Sequence, residues 1–397
     1  MAQIPYIFNQ LVSFIPKDVF DRLVTKHKAN YHVKDYTCWN HLLVMVWAHL
    51  TGRRSLRDIV SSLRAHSDKT YRMGIGSSIS RNNIANANAK RDISVFRELA
   101  QSMMQRTRHL REKDDILSTI GRYFDINGFF AIDSSSVSLK LDRHGWSVPQ
   151  KGVGGIKMHT MYDLLRNTPR MCLITGHEER DQTFMEDYPF EAGCFYMFDK
   201  MYFKTRGLER VRSKGAFFVI RIKNNVVYEI LGNMAVDGSH VLADRIIRFT
   251  SRWAAAGYPE KLRLVSFYST EKNAVITFVT NNFDLDAATI ALLYRYRWQI
   301  ELFFRWIKQH LRVTSFYGTS ANAVMIQIYT AYIAFCSLAI AADSCGFEGT
   351  LYEFSNIVSV SLTEKIMLPD LIIRYQNPII QPIENHFPTL FDSDILL

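Results

Sequence analysis

The stretch YRYRWQIELFFRWIKQHLRV, residues 294–313, constrains the fold more than any other part of the chain. Five aromatics fall in its first eleven positions, beside four arginines, one lysine and a single carboxylate, Glu301. With the preceding DAATIALL, the apolar spacing predicts one long helix over residues 286–312, with Asp286 as its N-cap. A helix this aromatic must pack on an apolar surface, and one this basic must meet a polyanion or acidic side chains. Tyr294, Arg297, Glu301 and Lys308 follow one another at offsets of 3, 4 and 7. At about 100° per residue they share an arc of about 60° along about 21 Å of helix. Arg297 and Arg305 stand four residues to either side of Glu301, so a plain surface ion pair remains one reading of that carboxylate.

A second reading comes from the strands upstream. INGFFAIDSS is a short apolar strand pattern that ends at Asp133, and GCFYMFDKMYF is another, broken by Asp199. Between them GGIKMHTMYDLL and PRMCLITGH predict two more strands around a turn at RNTP; LERVRSKG reads as a helix and AFFVIRI as a fifth strand. Strand ends in an α/β sheet deliver side chains to a common crevice. Two carboxylates there, with a third from a helix laid on the sheet, can hold Mg²⁺, which takes oxygen ligands and binds together with substrate phosphates. Two such ions about 3.5–4 Å apart activate the entering oxygen and stabilise the leaving one in phosphodiester chemistry. Asp133, Asp199 and Glu301 are the candidate set, although an Asp after a strand is also an ordinary turn or cap residue.

Residues 1–115 predict helices, with Ser55 and Ser80 as N-caps. The second of these capped helices, within SISRNNIANANAKRD, carries Arg81, Asn86, Lys90 and Arg91. Those residue types suit phosphates and purine edges, in a helix-turn-helix-like reader or simply on a solvated face. Lys plus Arg outnumber Asp plus Glu by 48 − 38 = 10, which favours a nucleic-acid partner. The five cysteines are scattered with no C-x-x-C pair, the pattern of a reduced cytosolic chain rather than a disulfide framework or zinc site. The N-terminus has no signal-peptide pattern. Residues 323–342 approach membrane-spanning length, but Gln327 and small or hydroxylated residues interrupt them, so a buried helix with no membrane partner is expected.

The spacing Tyr294-x2-Arg297-x3-Glu301-x6-Lys308 resembles the Y-R-E-K signature of DDE transposases of the insertion-sequence-four family. SLRDI with NANAKRD, AIDSSSVSL, GGIKMHTMYDL and FDKMYF are similar to further segments of that family, although Met201 stands where a small residue is usual. The resemblance implies an α/β fold: a ribonuclease-H-like mixed sheet with a β-rich insertion, preceded by an all-α DNA-binding domain. The expected division is 1–115 helical, 120–222 first part of the core, 223–282 insertion, 283–370 second part with the glutamate helix, and 371–397 a tail. It also implies cut-and-paste transposition with Mg²⁺, or Mn²⁺ in its place, at Asp133, Asp199 and Glu301. The implied partners are double-stranded DNA, as terminal inverted repeats and target, and a second copy of the chain in a synaptic homodimer. Its implied location is the bacterial cytoplasm, on the nucleoid when bound to DNA. Hairpin formation at the cleaved end is part of the implied reaction, with Trp298 either assisting base extrusion or simply packing in the core. Two rivals remain: a nuclease of the same fold without strand transfer, and a catalytically silent DNA-binding descendant.

Overall fold

The computed structural model describes residues 4–377 other than 78, 148–153, 180, 182–184, 186–187, 237–239, 272, 312 and 314. The chain begins with helices α1 (Ile7–Ser13), α2 (Lys17–Lys26), α3 (Cys38–Leu50), α4 (Leu56–Arg64), the single turn α5 (Ser67–Thr70), α6 (Arg81–Lys90), α7 (Ile93–Arg106) and α8 (Asp115–Phe124). Side-chain oxygens of Thr37, Ser55, Ser80, Asp92 and Asp114 accept from first-turn N–H groups of α3, α4, α6, α7 and α8, satisfying donors that have no partner inside the helix.

The strands follow as β1 (Gly128–Leu139), β2 (Gly154–Asp163), β3 (Thr168–Gly176) and β4 (Cys194–Phe198). Helix α9 (Thr205–Ser213) then leads to β5 (Phe217–Arg221). Next come β6 (Tyr228–Asn233), β7 (Val241–Phe249), α10 (Arg252–Gly257), β8 (Leu262–Ser269) and β9 (Ala274–Thr280). All nine form one sheet in the order β3-β2-β1-β4-β5-β9-β8-β7-β6. β1, β4 and β5 are parallel and the other pairings are antiparallel. The β-rich segment after β5 therefore widens the same sheet, through the pairing of β5 with β9. Within it Arg263, 2% exposed, is held by Asp244 at 2.6 and 2.9 Å.

Five helices close the described chain: α11 (Ala287–Tyr296), α12 (Trp298–His310), α13 (Ala321–Ser344), α14 (Leu351–Ser361) and α15 (Leu368–Gln376). The single helix expected over 286–312 is thus two, abutting at Arg297. The amides of Arg297 and Ile300 bond three residues back, to Tyr294 and Arg297 at 3.2 Å each, instead of four. A tertiary ion pair of Arg297, described below, accompanies this break. Of the segment 371–397 expected as a tail, 371–376 belong to α15, where Leu371 and Ile372 are buried, and residues 378–397 lie outside the described residues.

Helix α13 is the spine. It packs on α3, α6, α7, α12 and β3, and its apolar window is 94% buried. Such burial accounts for the apolar run at 323–342 as a core helix. One apolar cluster joins α13, the N-terminal helices and one face of the sheet; a second, under α9 and α10, lies on the opposite face.

Two histidines sit inside the first cluster. His41 Nε2 pairs with Asn88 Oδ1 at 2.7 Å, and His49 bridges the Leu311 carbonyl at 2.8 Å and Thr330 Oγ1 at 3.0 Å. Burial pushes His41 down to about 3 and His49 down to about 4 from the ordinary 6.5. Below pH 6.5 the unfolded chain takes up protons that the folded chain refuses, so stability falls as the pH drops from 6.5 towards 4. Urea midpoints measured at about pH 7 and about pH 5 should show this loss, and His49→Gln should narrow the difference between them. An undiminished difference in that variant would remove His49 from the acid response.

Candidate active site

Strand register builds the site. Ile132 of β1 is registered to Phe198 of β4, and Phe198 to Ile220 of β5. Asp133 and Arg221 are the next residues on β1 and β5, and Asp199 is the first residue past the end of β4, so the three stand in one row across neighbours spaced about 4.8 Å apart. Side chains alternate between faces. Ile132, Phe198 and Ile220 belong to the cluster under α9, which turns Asp133, Asp199 and Arg221 to the face covered by α11 and α12.

Helix α12 brings Glu301 to this row. Arg297 donates from Nη1 to Asp133 Oδ2 at 2.8 Å and from Nη2 to Glu301 Oε1 at 2.7 Å. Further along, Lys308 Nζ donates to the Ser136 carbonyl of β1 at 2.7 Å. Asp133 Oδ1 accepts from the Ser134 amide at 2.8 Å, and Asp199 Oδ2 from the Met201 amide at 3.1 Å, where Asp199 caps a 3-10 turn. Burial pushes the Asp133 carboxyl up to about 6; Arg297 and the Ser134 amide pull it down, while Asp199 and Glu301 push it further up.

The four-residue stripe meets the sheet unevenly. Tyr294 is buried and packs its ring on Phe278 at 4.6 Å, and burial pushes its phenol up to about 12. Trp298 is 50% exposed, with Arg305 over its ring at 5.8 Å. In α6, Arg81, Asn86 and Lys90 are exposed. Arg91 is buried and donates to the Tyr36 carbonyl from beneath the Tyr36 ring. Of the residues expected to meet DNA, Tyr294 and Arg91 are thus buried, Tyr294 with Arg297 over its ring at 5.7 Å.

Three residues of this region carried no catalytic or DNA-binding assignment from sequence. Asp181 accepts from Ser134 Oγ at 2.7 Å and lies 3.5 Å from Lys157 Nζ, one residue along from Asp133. His159, fully buried, bonds Thr175 Oγ1 at 3.0 Å and is pushed down to about 4 by burial, a structural neutral imidazole. Arg221 is the third. Its sequence signal, a charged residue closing an apolar run, was the same one that singled out Asp133 and Asp199.

The donor set suits a hard divalent ion. Three carboxylates face one region, and the charges of Asp199 and Glu301 on a buried Asp133 create a demand for a cation that Arg297 meets only in part. Among the described residues no three Asp, Glu, His or Cys side chains close round one point. The guanidinium of Arg297 occupies the gap between Asp133 and Glu301.

A mixed sheet that gathers acidic side chains beside a basic helix suits metal-assisted phosphoryl transfer on a polyanion. Residues 127–337 match the family described as Transposase DDE domain, and residues 5–76 a domain of unknown function (DUF4372). A protein of Sinorhizobium fredii named as a transposase, y4zB, is 34% identical over 292 residues, covering 71% of this chain and 77% of that one. A protein of Synechocystis named as a transposase for insertion sequence element IS4SA is 25% identical over 360 residues, covering 87% and 95%. Another, of Geobacillus stearothermophilus, named for element IS5377, is 30% identical over 207 residues, covering 51% and 54%. A piggyBac transposase synaptic complex with hairpin DNA has a TM-score of 0.43 at 10% identity, covering 94% of this chain and 80% of that one. At that likeness no residue of one can be matched to a residue of the other. The chain belongs to the DDE transposases. It is accordingly a DNA-binding transposase with nuclease and strand-transfer activity, and the family depends on divalent metal. Bacterial transposases are typically soluble, cytoplasmic proteins.

Arg297→Gln should push the Asp133 carboxyl, already raised to about 6 by burial, further up, because burial then acts without the opposing charge. Carboxyl-carbon NMR of the chelator-treated protein would follow this titration. A downward shift would mean that Arg297 does not set the local field.

Proposed function

We propose that this transposase moves an insertion sequence by cut-and-paste, with Asp133, Asp199 and Glu301 holding two Mg²⁺ ions, or Mn²⁺ in their place. The observation that carries the reading is the parallel register that sets Asp133 beside Asp199, with Glu301 one guanidinium away. When bound, the ions activate the entering oxygen and stabilise the leaving one at phosphorus. The chain's own residues do the rest. Arg297, no longer needed between Asp133 and Glu301, turns to a phosphate next to the scissile one, and Lys308 holds another further along α12. Trp298, half-exposed at the start of α12, stacks on a base displaced at the cleaved end, which favours a hairpin intermediate.

Recognition of the terminal inverted repeats falls to the helical region 1–115, through Arg81, Asn86 and Lys90 on the exposed side of α6. The proposed catalytic parts are 120–222 and 283–370, with 223–282 inserted between them. Two element ends must be cut and joined together, so the working form is a homodimer with one end on each copy.

Asp133→Asn, Asp199→Asn and Glu301→Gln keep shape and remove charge. Each should lower nicking and strand transfer together by about 100-fold or more, the scale of losing one preorganised charge at a reacting centre. Binding of element ends should change little, and chelation of divalent ions should silence the wild type. Wild-type cleavage by all three variants would rule the assignment out.

A further inference from the structure

The catalytic row does not stop at Asp199. Arg221 is its next member, registered across β5 from Phe278 of β9. It lines a cleft of about 400 Å³ at the ends of β4 and β5, together with Lys200, Met201, Lys223, Asn224 and Asn225. The lining holds three cations and two amides and no carboxylate. Lys223 Nζ donates to the Phe203 carbonyl at 3.2 Å, which fixes its ammonium at the rim. Arg297, on the other side of Asp199, is taken up by Asp133 and Glu301. Among the described residues, by contrast, neither Lys200 nor Arg221 pairs with a carboxylate. Met201, 53% exposed, adds an apolar side chain to this lining.

A cleft with this lining is a receptor for an anion that carries an apolar body, such as a phosphodiester with its sugar and base. We propose that it is a second phosphodiester subsite of the active site, occupied by the target strand during strand transfer. This rests on the transposase reading given above. Strand transfer brings two polyanions to the same carboxylates. The α12 stripe lies along β1 on one side of Asp199, and the cleft opens along β5 on the other. An in-line displacement needs its entering and leaving oxygens on opposite sides of phosphorus. In this step the 3′-oxygen of the cleaved end bonds to the target phosphorus and gives up its proton. The bond from that phosphorus to the target's own 3′-oxygen breaks, and that oxygen takes up a proton. Arg221 and Lys200 hold the target phosphate as positioning residues, so their loss acts first on the use of target DNA.

The test uses the full chain, pre-cleaved element ends and a titrated plasmid target, alongside nicking of uncleaved ends. Arg221→Gln should raise the half-saturating target concentration roughly tenfold, the effect of one lost charge-assisted contact. Lys200→Gln, at an exposed position that leaves folding intact, should raise it less. Arg221→Lys should retain most of the wild-type behaviour. In both Gln variants the ratio of transfer to nicking should fall at sub-saturating target. The salt dependence of target use should weaken by a slope of about one per lost contact. Equal falls in nicking and transfer would assign the cleft to the element's own end and overturn the proposal, as would an unchanged half-saturating concentration. If the wild-type chain joins no pre-cleaved ends, the transposase reading itself fails and the subsite falls with it.

Discussion

The Arg297 guanidinium, lodged between Asp133 of β1 and Glu301 of α12, is the contact on which the rest of the site depends. A buried carboxylate and a second one facing it repel each other unless a cation stands between them. Arg297 supplies that cation in a two-pronged form that a lysine cannot reproduce. Pairs of this kind add little net stability when partly solvated. Their effect here is geometric: the two bonds dock α12 on β1 at one rotation, with Glu301 inward and Trp298 outward. At the same residue the helical hydrogen bonding changes from four-residue to three-residue spacing.

The docking would be useless without the register beneath it. Three parallel strands in step place Asp133, Arg221 and, just past the end of β4, Asp199 in one row, with the apolar residue before each packed on the opposite face. A slip of one residue in β4 would turn Asp199 into the apolar cluster under α9. Phe198 and its neighbours in that cluster hold the register by burying their own side chains on the far face. The geometry of the proposed catalytic site is thus kept in place by packing on the opposite side of the sheet.

Helix α13 couples this core to the N-terminal helices. It packs on α3, α6 and α7 as well as on α12 and β3, and His49 links α3 to the Leu311 carbonyl just past α12. The helical region proposed to meet element ends and the core proposed to cut them are therefore continuous through one apolar cluster. Charge is distributed to match: cations stand on α12, on the exposed side of α6, and in the cleft beyond Asp199.

Much of this was legible in the order of residues. Apolar runs closed by Asp133 and Asp199, caps at Ser55, Ser80 and Asp286, and the spacing of Tyr294, Arg297, Glu301 and Lys308 are local patterns, set by backbone hydrogen bonding and side-chain periodicity. Those patterns determined the elements and the carboxylates. Other features depend on partners distant in sequence. Arg297 interrupts its helix where it also pairs with Asp133, which lies 164 residues away. Arg91 and Tyr294, apt for DNA by residue type, turn inward to the Tyr36 carbonyl and the Phe278 ring. Arg221 joined the site only when β4 and β5 paired in register. Local periodicity determines which face a side chain takes on its own element, but what that face meets is decided by burial between elements, and only the folded structure contains that information.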